Sequence, residues 1–146
     1  MMSILNYKID KIVTERFNLK ETDGIKNLRF SLSFQFKVSV KESVICCISE
    51  FEYRTENENV MTLSLECYFK VLDDGLNSMI KDNVLTIDTE TLQYLATIAV
   101  GTARGEIHAR CELANSALKE IVLPPVNLTE IITTPSEFYM SPDDSE

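Results

Sequence analysis

The sequence is short of the residues from which catalytic and metal centres are built. It has one histidine, His108, and four cysteines, Cys46, Cys47, Cys67 and Cys111, with no C-x-x-C pair among them. A four-ligand zinc site is therefore not expected. Buried, reduced thiols packing as small hydrophobes are the expectation instead. His108 stands next to Ala109 and Arg110 with no serine or carboxylate partner that spacing identifies, and reads as a surface or interface residue. Nucleophile motifs, paired metal-ligand spacings and phosphate-cradling glycine loops are all missing. No catalytic residue, metal or cofactor is expected, and a binding protein is favoured over an enzyme.

Long apolar runs are missing too. None approaches the ~18 residues of a membrane span. Met1 to Lys11 interleaves Asn6, Lys8, Asp10 and Lys11 with its apolar residues, unlike a signal peptide. A cytoplasmic protein with no membrane insertion is the expectation. Basic side chains number 14 against 23 acidic ones, a net charge of −9. A nucleic-acid backbone would be repelled at long range, so general nucleic-acid binding is not expected.

What is present is patterning. At 146 residues, 45% apolar and 25% charged, the chain has the mixture of one ordinary globular domain. In residues 28–40 every even position (Leu28, Phe30, Leu32, Phe34, Phe36, Val38, Val40) is apolar and every odd one polar. Period two over this length predicts a long strand with its even face buried. Residues 60–71 repeat the pattern through Met61, Leu63, Leu65, Cys67, Phe69 and Val71. Val44 to Arg54 reads as a strand between them, with Phe51 and Tyr53 on one face and Glu50 and Glu52 on the other. Tyr7 to Lys20 reads as a fourth, less regular strand. The short connections predict antiparallel neighbours.

After the turn signal Asp73-Asp74-Gly75 comes a short irregular piece to Asn83, then a long helix capped by Asp88 or Thr89 and fading near Asn115-Ser116. Leu92, Leu95, Ala96, Ala99, Ala103 and Ile107 share the face expected on the sheet. The opposite face carries Tyr94, Ile98, Gly101, Gly105 and Ala109, too apolar for water, so a second covering surface is expected there. The alternative is that the glycines, each costing roughly 1 kcal/mol relative to Ala, break the helix into a loop over residues 101–105. Beyond it, Ile121-Val122-Leu123-Pro124-Pro125-Val126-Asn127-Leu128 is apolar but barred by its prolines from helix or sheet interior. It must lie extended on something. Thr129 to Thr133 is expected to form a last helical turn. The expectation is an α+β fold: a four-stranded antiparallel sheet, a long helix and a short C-terminal helix. Residues 1–134 would form the domain and 135–146 an acidic flexible tail.

This order resembles the bacterial export chaperone SecB and its relatives. Ala103-Arg104 sit where that family has an Ala-Arg pair in its long helix, and Leu123 to Ile132 looks like its Leu-x-Pro-Val-Asn-Phe segment leading into the last helix. Pro125, Val126 and Asn127 match directly, and Leu128 replaces the aromatic residue. The family's glycine- and aromatic-containing end of the fourth strand is replaced here by Glu66 to Val71. The resemblance implies an ATP-independent holdase for unfolded polypeptides in protein export, assembled as a homotetramer, a dimer of dimers. Tyr94, Ile98, Gly101, Gly105 and Ala109 would lie at a subunit contact. Phe51, Tyr53, Leu118, Ile121, Leu123, Val126 and Leu128 would line a polypeptide groove; the rival reading of the connector Ile121 to Leu128 is that Leu123 and Val126 close the core over the sheet. Implied partners are unfolded clients and the export motor SecA, or a toxin–antitoxin pair if the protein is a dedicated chaperone of one partner.

Overall fold

In the computed structural model, which describes residues 6–21 and 27–140, the alternating segments are four strands, β1 (Tyr7–Leu19), β2 (Arg29–Ser39), β3 (Val44–Arg54) and β4 (Asn59–Val71). They form one antiparallel sheet in the order β1-β4-β3-β2, so both β1 and β2 are margins. The register sets the faces. Phe34 opposes Ser49, which opposes Leu65; Phe36 opposes Cys47, which opposes Cys67. All these side chains share one side of the sheet. β1 is less regular in sequence because its pairing shifts between Ile9 and Lys11 and again between Thr14 and Arg16. Each bulge moves the apolar positions by one, so Ile9, Ile12 and Phe17 all face the side of Phe69, Cys67 and Leu63 although their spacing is not two.

The long helix, α1 (Thr89–Leu113), runs unbroken through both glycines, which removes the loop alternative. It lies over β3 and β4, and Leu92, Leu95, Ala96, Ala99, Ala103 and Ile107 are all buried beneath it. Its C-terminus is a Schellman motif. Asn115 takes a left-handed φ of 50°, its N–H donates to the Glu112 carbonyl, and the Ser116 N–H donates to that of Cys111. Ser116 then caps a single 3₁₀ turn, Ala117–Glu120, by accepting from the Leu118 N–H. Residues 121–127 are extended, and a short helix α2 (Leu128–Ile131) follows. No described helix is long and apolar enough to cross a membrane.

A second, three-stranded sheet was not expected. It consists of β5 (Ile80–Lys81), β6 (Val84–Ile87) and β7 (Ser136–Tyr139), in that order. Asp82 and Asn83, both at positive φ (54° and 64°), make the two-residue turn between β5 and β6, a backbone shape that Asp and Asn tolerate. β7 corrects the expected tail. Residues 136–139 pair with β6, and Phe138 and Met140 pack against Leu85, Ile87 and the rest of the core. Burial alternates along these four residues, but Ser-Glu-Phe-Tyr carries no apolar alternation in sequence to distinguish it from a polar tail. Residues 141–146, the acidic end, lie outside the described residues.

Candidate functional site

Strand β2 is where the fold leaves apolar surface open. Since α1 sits over β3 and β4, the even positions of β2 are covered from one side only. Phe30, Leu32, Phe34, Phe36 and Val38 are half-buried, and only Val40 is fully buried. The expected burial of this whole face is thus corrected: the alternation holds, but a marginal strand cannot bury it. The aromatic rings lean inwards. Phe30 lies 5.5 Å from Tyr53 and 6.4 Å from Phe51, and Phe34 meets Phe51 edge-on at 6.4 Å between centroids.

The two margins of the sheet differ. β1 carries two bulges and the charges Lys8, Asp10, Lys11, Glu15 and Arg16, devices that discourage further strand pairing. β2 pairs with β3 in unbroken register, has no proline, and carries only Arg29 and Lys37 as charges. Among the described residues, no strand pairs with its free side. Its main-chain donors and acceptors there are a template for an eleven-residue strand.

Above the β2 side of α1 runs the proline-containing segment. Leu118 and Leu123 insert into a cluster with Phe51, Tyr53, Val100, Ala103, Ile107 and Cys111, against which Phe30, Leu32, Ile121 and Val126 also pack. Side chains of α1 reach across to it. The Arg104 guanidinium donates from Nε to the Leu123 carbonyl and from Nη2 to the Pro124 carbonyl, both at 3.4 Å, and Gln93 donates to the Ile132 carbonyl at 2.9 Å. The Tyr53 hydroxyl is buried with no hydrogen-bond partner. Burial, then the neighbouring Cys111, pushes its pKa up to about 12, with Arg104 opposing.

These positions divide the seven expected groove residues. Phe51, Tyr53, Leu118 and Leu123 are at most 4% exposed, so in this conformation they are core, and the expectation that they face a ligand directly is corrected. Ile121, Val126 and Leu128 are half-buried at the surface. The structure brings all but Leu128 into one cluster, while Leu128 packs on the neighbouring one. Missed in the sequence was β2 itself as the accessible part. The signal was the same alternation, but the sheet order that makes β2 a margin is not written in it.

The other expected site is the outer face of α1. Tyr94 is 58% exposed, Gly101, Gly105 and Ala109 are exposed, and Ile98 is half-buried. A Cβ at either glycine would meet nothing within 4 Å, so nothing in the described chain requires glycine there. On the same flank Ile9 and Ile12 of β1 are exposed, and burial and the nearby Tyr94 raise the Tyr7 pKa. His108 lies on this face with its Nε2 3.2 Å from the Glu112 carboxylate. In comparison with known proteins, no family model matches the sequence, and no curated protein matches it.

Proposed function

We propose that this chain is an ATP-independent holdase that takes up extended segments of unfolded polypeptides along β2, as its resemblance to SecB implies. The observation that supports this most is the pairing of two features on one strand: a regular open margin and a half-covered aromatic strip. An extended client would hydrogen-bond to the margin and set alternate side chains against Phe30, Leu32, Phe34 and Phe36, the mode known as strand addition. Main-chain bonding makes such binding tolerant of sequence, which a promiscuous chaperone needs.

The magnitude of one contact sets a requirement. Covering roughly 150 Å² of apolar surface contributes about 4 kcal/mol, an amount that the lost freedom of association largely cancels. Tight holding therefore requires one client to engage several copies at once, which raises avidity without new contacts. This favours a homo-oligomer, and the reading is a tetramer built as a dimer of dimers through Tyr94, Ile98, Gly101, Gly105 and Ala109. The four buried, unpaired thiols are compatible with a cytoplasmic site of action.

The test is suppression of aggregation of two unrelated unfolded proteins. The expected result is suppression of both at stoichiometric amounts without ATP. A Phe34→Ser, Phe36→Ser double variant, assayed where it remains folded, should lose about thirtyfold in affinity, since each half-buried ring contributes of the order of 1 kcal/mol. Suppression of neither protein, or of one alone, would contradict promiscuous holding.

A further inference from the structure

Residues 121–127 cover the core without belonging to a helix or a strand. Among the described residues, no main-chain hydrogen bond joins Val122 to Val126 to anything, so backbone pairing does not fix the segment in place. Among the described residues, the carbonyls of Val122 to Val126 are met by the two bonds from Arg104 to Leu123 and Pro124. The side chain it inserts, Leu123, is nonetheless 4% exposed and packs in the cluster of Phe51 and Tyr53. In the same cluster the Tyr53 hydroxyl is buried without a partner, an unfavourable state for a polar group. Two adjacent prolines, both exposed, keep the segment extended whether or not it is docked.

We propose that residues 121–127 are a displaceable strap, latched by Arg104, that fills the aromatic cluster beside β2 until an extended polypeptide takes the place of Leu123. The inference rests on the polypeptide-binding reading and adds its regulation. In the closed state the client reaches only the half-buried strip of β2. Release of the two Arg104 bonds lifts Leu123, exposes Phe51 and Tyr53 as a deeper apolar floor, and frees the Tyr53 hydroxyl to bond a client carbonyl. Arg104 suits the latch because its planar fork donates two bonds from one rigid group, which a lysine does not do.

Cys111 reports the opening. It is fully buried in the same cluster, and Arg104 and Cys111 both act on Tyr53. Cys47 and Cys67 are buried elsewhere, under the other half of α1. The experiment compares the full-length protein with Arg104→Met, which keeps the aliphatic stem and removes the donors. It follows N-ethylmaleimide labelling of each cysteine by peptide mass, and binding of reduced, carboxymethylated α-lactalbumin, a permanently unfolded probe. Arg104→Met should label about tenfold faster at Cys111, with Cys47 and Cys67 unchanged, and bind the probe several-fold more tightly, given two lost bonds from a charged donor. Saturating probe should also speed Cys111 labelling in the unaltered protein. If that protein binds the probe but Arg104→Met changes neither labelling nor affinity, the latch is overturned and the holdase reading stands. If neither form binds the probe, the holdase reading fails and displacement by a client falls with it. Should Arg104→Met unfold, all four cysteines label together. The unaltered protein with probe then decides: faster Cys111 labelling supports the strap, and an unchanged rate overturns it.

Discussion

Cys67 shows what burial does to a single side chain. It is fully buried opposite Cys47, and burial, then Cys46 and Glu106, pushes its pKa from the ordinary 9.0 to about 11. Burial raises Cys47 in the same direction. A thiol raised in the folded state holds its proton when the unfolded chain has lost it. Its stabilising contribution is therefore complete below pH 9 and is lost as pH rises through about 11. The melting temperature should be flat with respect to these thiols from pH 6 to 8 and fall between pH 9 and 11, with a shallower fall in Cys67→Ala. An equal slope in the variant would show that this thiol carries none of the effect. Gly105 separates two accounts of the outer helix face. Because a Cβ there meets no atom within 4 Å, Gly105→Leu should raise the stability of an isolated chain by about 0.5–1 kcal/mol through helix propensity alone. If copies pack on this face, the same change should lower the mass seen by light scattering. A stabilised variant of unchanged mass would remove this face from the assembly.

Among the elements, legibility followed length and regularity. β2, β4 and α1 announce themselves because six or seven apolar positions repeat one period, and chance rarely sustains that, while β3 shows by its β-branched and aromatic residues. β1 was legible only as an irregular strand, since its two bulges break the period its neighbours keep. The small sheet was not legible. β5 and β6 have two and four residues, and β7 joins them from far along the chain, after α1 and α2. The Asp82-Asn83 turn was the one local signal available. The site divides in the same way. The apolar character of Ile121 to Val126 and of Phe51 and Tyr53 is plain in the sequence, but whether they face solvent depends on how Arg104 holds the segment, a contact between residues nineteen and twenty positions apart. Removing residues 136–146 tests the small sheet. Loss of β7 uncovers Leu85 and Ile87 and discards Phe138 and Met140. That should cost about 2–3 kcal/mol and lower the melting temperature by roughly 5–10 °C. An unchanged melting temperature would mean that β7 contributes nothing to the core.

For the whole molecule, the sheet has one guarded margin and one open one, and the account rests on that asymmetry. β1 is bulged and charged, with Ile9, Ile12 and Tyr94 exposed on the helix side, an arrangement that discourages an added strand. β2 is regular and lightly charged beside the aromatic cluster. Hydrogen exchange on the full-length protein, with and without saturating carboxymethylated α-lactalbumin, measures the two margins together. The account predicts that the probe slows exchange of amides in Arg29–Ser39, at alternate residues facing the open side, and leaves Tyr7–Leu19 unchanged. Binding that protects β1 or neither margin, or no binding at all, would contradict it.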